Sequence, residues 1–326
     1  MQRREFITLL GNAAAWPLLA RAQQPATPVI GFLALLSPET FMPSSAGFFQ
    51  GLKESGYVEG QNVTIEYRWA HGHFDQLPTL ASDLVRHQVN VIAALGTPAA
   101  AVAAKAASKT IPIVFVSGDD PVHIGLVDSL NQPGGNLTGV YMLTSALEPK
   151  RLELIHELVL KTAIIGVVVD PNSPDTSQQI RELLAAATAL GRKIKVFNAS
   201  NEGEIDAAFA AIVEQRIGAV LIASAPFFLP QRQKFIELAA HHGLPAVYFL
   251  RAFSEAGGLM SYGTSLADAY RQAGLYTGRI LKGEKPFNLP IQQSVKAELV
   301  INMKTAKKLG LTVPLSLLGR ADEVIE

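Results

Sequence analysis

From Val29 onward, short apolar runs alternate with longer stretches whose apolar residues recur at helical spacing. Val29 to Leu36 is a continuous apolar run of strand length. Phe41 to Ser55 has helical periodicity and stops at Gly56. Val63 to Trp69 alternates as a strand does. Leu77, Leu80, Ala81 and Leu84 share one helix face. Val89 to Leu95, Pro98 to Lys109 and Ile111 to Val116 continue as strand, helix and strand. A short helix is expected near Gly125 to Leu130, then a turn at Pro133-Gly134-Gly135-Asn136 and a strand over Leu137 to Met142. This order predicts a parallel sheet with helices on both faces.

The order then restarts. Pro149 to Leu160 reads as a helix, Ile164 to Val169 as a buried strand and Thr176 to Leu190 as a helix stopped by Gly191. Lys193 to Phe197, Glu202 to Arg216, Ala219 to Ala223, Gln231 to His242, Ala246 to Phe249 and Leu259 to Tyr262 continue the alternation. A last long helix, Leu266 to Leu281, ends before Gly283. The chain is therefore an α/β protein of two similar units. The expected first lobe is 28–144 plus about 266–326, and the second is 145–265. The crossings are placed near Thr144 to Glu148 and Gly263 to Asp268.

In open parallel sheets, ligands bind beyond the carboxyl ends of the strands. The loops at those ends are polar or aromatic here. They are Ser37-Pro38-Glu39, Gly96-Thr97-Pro98, Ser117-Gly118-Asp119-Asp120, Asp170-Pro171-Asn172-Ser173, Ser224-Ala225-Pro226-Phe227 and Arg251 to Glu255.

The N-terminus changes the picture. Arg3 and Arg4 precede an apolar stretch, Phe6 to Ala20, and then Ala20-Arg21-Ala22. A charged start, a short apolar core and a small-x-small site predict a secretory signal peptide over residues 1–22. The paired arginines resemble a twin-arginine export signal. Without residues 1–22 the chain keeps 25 basic and 27 acidic residues, a net charge of −2. That argues against nucleic acid or an anionic membrane surface as partner. No cysteine is present, so disulfides, thiolate metal sites, a thiol nucleophile and a lipid-accepting cysteine are excluded. The expectation is a free periplasmic protein, not embedded in the membrane.

Several phrases occur in a fixed order: Leu95-Gly96-Thr97-Pro98-Ala99-Ala100, Ile111-Pro112-Ile113-Val114-Phe115, Asp120-Pro121-Val122, Gly125-Leu126-Val127, Pro133-Gly134-Gly135-Asn136-Leu137-Thr138-Gly139 and Glu255-Ala256-Gly257-Gly258-Leu259-Met260-Ser261-Tyr262-Gly263. Together they resemble the ABC transporter substrate-binding family that includes tryptophan- and tyrosine-binding proteins. The resemblance implies a type I periplasmic-binding fold, with two Rossmann-like lobes hinged around one ligand cleft. It also implies an ABC permease as partner.

Within that frame, each candidate has two roles open to it. Thr97 stands before a helix that begins at Pro98, so it can cap the helix or bind an anion together with the free N–H groups of Gly96, Thr97 and Ala99. Ser37 is a ligand donor or a turn residue. Asp119 and Asp120 could accept from a ligand ammonium, or cap the turn before Pro121. Asp170, Ser173 and Ser224 end strands of the second unit. Phe227 could stack on a flat ligand or fill the core. Glu255 could meet a cation or pair with Arg251. The His71-Gly72-His73 triplet has no third metal ligand nearby and reads as a solvated loop.

No nucleophile elbow, Walker loop or dinucleotide fingerprint is present. The expected role is a non-enzymatic transport receptor for a small molecule, possessing no cofactor or metal. A ligand sensor for a membrane receptor and a periplasmic hydrolase are the alternatives.

Overall fold

The computed structural model describes residues 27–159, 164–173, 175–294 and 296–326. The expected signal peptide lies outside the described residues.

The first unit contains β1 (Val29–Ala34), α1 (Pro38–Glu54), β2 (Thr64–Trp69), α2 (Leu77–Arg86), β3 (Val91–Leu95), α3 (Pro98–Ala107), β4 (Ile113–Ser117) and β5 (Leu137–Met142). The second contains α4 (Glu148–Leu158), β6 (Ile164–Val169), α5 (Thr176–Ala189), β7 (Lys193–Asn198), α6 (Glu202–Glu214), β8 (Ala219–Ile222), α7 (Arg232–His241), β9 (Ala246–Tyr248), α8 (Arg251–Glu255) and β10 (Met260–Thr264). The chain continues as α9 (Leu266–Leu281), β11 (Gln292–Ser294), β12 (Ala297–Asn302), α10 (Met303–Lys308), α11 (Leu315–Leu318) and β13 (Glu323–Ile325).

Among the described residues the strands form two sheets. One has the order β11-β5-β4-β3-β1-β2, with every pairing parallel. The other has the order β13-β12-β10-β9-β8-β6-β7, parallel except where β12 runs against β10. The central strands are buried on both faces: β3 and β4 have no exposed or half-exposed position. That is why they read as unbroken apolar runs.

The tail departs from expectation. β11 completes the first sheet, but the chain then crosses a third time, and β12 and β13 join the second. The reason is packing. Leu299, Ile301, Ala306, Val313 and Leu317 share one buried cluster with Leu152, Ile155 and Leu158 of α4. Burying each large apolar side chain contributes about 1.5–3 kcal/mol, and these have their partners only in the second lobe. The segment Gly125 to Leu130 also differs, forming turns and bends in place of a helix. Gly125 sits at φ +69, in the left-handed region that ends helices.

α9 returns to the first lobe and packs against α1 backbone to backbone. A Cβ added at Gly47 would stand 2.1 Å from the Ala267 carbonyl oxygen, and one at Gly51 would stand 1.9 Å from that of Arg271. From the other side, a Cβ at Gly274 would stand 2.1 Å from the Phe48 oxygen. Only glycine permits this approach.

Candidate functional site

Parallel pairing puts the loops after β1, β3 and β4 at one end of the first sheet. The loops after β6, β8 and β9 lie at the matching end of the second. One observation relates these ends across the lobes, and a second ties the first-lobe loop to the crossing. The Asp119 carboxyl, after β4, is pushed up to about 6 by burial and then by the charge of Asp175, which precedes α5. The Thr144 hydroxyl, at the first crossing, donates to the Gly118 carbonyl at 3.0 Å.

The anion-binding candidate is built as its sequence suggests. Thr97 is the extended N-cap of α3, and its hydroxyl oxygen accepts from the Ala99 N–H at 3.4 Å. That bond uses a lone pair and leaves the O–H free to donate. Gly96 has φ +87, and a Cβ there would stand 2.6 Å from the Phe41 ring. The loop can therefore hold this shape, over this ring, only with glycine. Ala99 is half-buried within the first turn. Ser37 caps the start of α1 with extended backbone. Its hydroxyl bonds the Glu39 carboxylate and, after Glu39's own backbone N–H, holds that pKa below its ordinary value.

The acidic candidates separate by what they already hold. Asp120 Oδ1 accepts from the N–H groups of Val122 at 2.8 Å and His123 at 3.2 Å, so it caps its own turn. Asp170 is buried and accepts from the Asn172 N–H at 2.9 Å. Its carbonyl accepts from the Ser173 N–H at 3.1 Å and also from the Thr176 hydroxyl, which shapes the loop that carries Ser173 and Asp175. Glu255 is exposed and pairs with Arg251 Nε at 2.8 Å. The same guanidinium reaches Glu298 at 2.9 Å and Glu323, so Arg251 is spent on structure. Asp119 is different. Ser117 shapes its backbone, donating to the Asp119 carbonyl at 2.7 Å and accepting from its N–H at 3.1 Å. Nothing among the described residues donates a hydrogen bond to its carboxylate.

In the loop after β8, the Ser224 N–H donates to Glu148 Oε1 at 2.6 Å, and its carbonyl accepts from Gln179 Nε2 at 2.8 Å. The two adjacent phenylalanines divide their roles. Phe228 is fully buried, with its ring 4.9 Å from Phe235, whereas Phe227 is half-buried beside it. The sequence reading missed two further groups. Trp69, half-buried at the carboxyl end of β2, stacks on Tyr67 at 5.7 Å and meets Phe41 edge-on at 6.2 Å. Its position as the last residue of a strand was the available signal. Asp175 was the other, and it stood hidden in a polar stretch without periodicity.

Among the described residues, no group of three or more His, Asp or Glu is arranged to hold a metal, and no helix is long and apolar enough to cross a membrane.

Two α/β sheets joined by three crossings, with facing strand-end loops, define a type I periplasmic-binding fold, and solved structures bear this out. A conserved domain protein from Vibrio cholerae superposes with a TM-score of 0.80 at 28% identity, covering 91% of this chain and 99% of that one. A Streptococcus pneumoniae ABC domain in complex with L-Trp superposes with a TM-score of 0.81 at 25% identity, covering 92% and 100%. The ABC transporter substrate binding protein family model matches residues 29–325, and the chain belongs to that family. It is also 26% identical over 282 residues to a tyrosine-binding protein of Clostridioides difficile, covering 86% of this chain and 81% of the relative.

Proposed function

We propose that this chain is the exported receptor of an ABC importer and that it carries a small zwitterion, an aromatic amino acid, between its lobes. The ligand's carboxylate sits at the start of α3, against the Thr97 hydroxyl and the open N–H groups beside Ala99. Its ammonium group lies at Asp119, opposite Asp175. Phe227 covers the apolar body, with Ser37, Ser173 and Ser224 at the rim. The observation that carries this reading is the contrast at the acidic candidates: Asp120, Asp170 and Glu255 are occupied, while Asp119 is half-buried without a donor and faces a second carboxylate across the cleft. A cation between Asp119 and Asp175 relieves their repulsion and draws the lobes together. The tryptophan in the pneumococcal complex and the name of the clostridial relative support an aromatic amino acid as the ligand class. The closed form then docks on the permease.

Native mass spectrometry of the protein purified from its periplasm should find a small molecule bound one to one. Calorimetry with L-tryptophan and L-tyrosine should then find tight binding of at least one. Chemical turnover of the bound compound, or a ligand without an amine, would overturn the reading.

A further inference from the structure

Arg151 and Glu148 have no solvent exposure at all, although both are charged. They stand one helical turn apart at the start of α4, immediately after the first crossing, with Arg151 Nη1 2.6 Å from Glu148 Oε1. Arg151 also bonds the first crossing and the strand that leads into the second. Its Nη2 donates to the Thr144 carbonyl at 2.5 Å, and its Nε donates to the Tyr262 carbonyl on β10 at 2.7 Å. From Thr144 the connection runs to Gly118, beside Asp119, through the threonine hydroxyl. From Glu148 it runs to the Ser224 N–H, in the loop after β8 of the second lobe, to which α4 also belongs. One contiguous set of polar contacts thus joins a cleft loop of the first lobe, the first crossing, β10 ahead of the second crossing and a cleft loop of the second lobe.

A buried ion pair is weak evidence for stability, because well-packed apolar residues often replace one without loss. The placement of this pair suggests another role. From within the second lobe Arg151 holds the Thr144 carbonyl at the first crossing, a bond that must adjust if the lobes swing, while Glu148 fixes the Ser224 loop to the same pair. Glu148 Oε2 remains buried with no hydrogen-bond partner, an arrangement that stability alone does not favour.

We propose that Arg151 and Glu148 are positioning residues for the ligand cleft, a buried hinge clasp that sets the angle between the lobes and moves the Gly118–Asp119 and Ser224 loops together. The inference rests on the cleft being the ligand site. Its test uses ligand-free protein, so its failure is separate from failure to find a ligand.

The chain has no cysteine, so thiols placed by Asp75→Cys and Glu202→Cys are the sole labelling sites. Both positions are exposed, and they follow β2 and β7, the sheet-edge strands farthest from the crossings. Pulsed electron resonance between spin labels there reads lobe opening with a long lever arm. The parent should give one narrow distance distribution. The double variant Glu148→Leu with Arg151→Met should still melt cooperatively but give a broadened distribution shifted to longer distances. Thr144→Val, which removes only the bond to Gly118, should broaden it less. A fold-only role would lower the melting temperature and leave the distances unchanged. If both variants fold and keep the parent distribution, the proposal is wrong. If the double variant does not fold, an unchanged distribution in Thr144→Val overturns it alone.

Discussion

Asp119 and Asp175 belong to different lobes, yet their charges interact across the cleft, and with burial as the larger cause this lifts the Asp119 carboxyl to about 6. The shift has a sign that can be tested. The ordinary value is 3.8, so the folded protein binds an extra proton between the two values. Ligand-free stability from this group should therefore fall as pH rises from about 4 to about 6. A ligand ammonium needs the ionised form. Its affinity should drop as pH is lowered through 6, approaching about tenfold per unit well below that value. Calorimetry in buffers of different ionisation enthalpy should register proton release on binding at pH 6. Asp119→Asn should abolish that release; its persistence would assign the proton to another group.

Thr97→Val keeps the side-chain shape and removes the hydroxyl. A hydrogen bond to a charged group contributes about 1.5–3 kcal/mol, so affinity should fall about tenfold or more. Loss of the cap should also cost about 0.5–2 kcal/mol of stability. Melting and calorimetry separate the two effects. A folded variant that binds as tightly as the parent would move the carboxylate away from α3.

Asp120→Ala provides the contrast. This carboxylate holds its own turn, so the variant should lose stability, by about 0.5–2 kcal/mol as for other local caps. The ligand's affinity should fall far less than it does for Asp119→Asn, since the Asp120 carboxylate is already held by the N–H groups of its own turn. A large loss of affinity would place Asp120, and not Asp119, against the ammonium.

Gly51→Ala should destabilise the first lobe. The new methyl would stand 1.9 Å from the Arg271 carbonyl oxygen, and two helix backbones must separate to admit it. Overpacking of this kind costs about 1–3 kcal/mol, and more where backbone must move. A thermal melt measures the loss, and an unchanged melting temperature would mean that α9 docks less tightly than described.

Terminal sequencing of the mature protein should begin at Gln23, following the Ala20-Arg21-Ala22 site, as the proposed export requires. Met1 at the mature terminus would refute export by cleavage. Replacing Arg3 and Arg4 by lysine should block export if the route is twin-arginine.

The sequence by itself marked the strands from β1 to β10, but not the three of the tail, because each central strand is buried on two faces and must be continuously apolar, as Val91 to Leu95 is. It also marked the Gly96-Thr97-Pro98 turn, since a positive φ, a cap and a first-turn proline are local requirements carried by residue type. Tertiary structure decided what depends on partners distant in sequence. The tail joined the second lobe because Leu299, Ile301 and Leu317 find their apolar neighbours on α4. Glu255 and Asp120 looked as available as Asp119 until Arg251 and the turn N–H groups were seen to hold them. The pairing of Asp119 with Asp175, and the clasp from Thr144 through Arg151 to Ser224, join residues on separate elements that no local pattern relates. Local patterns encode burial and backbone conformation, whereas the state of a charge depends on whatever the fold places beside it.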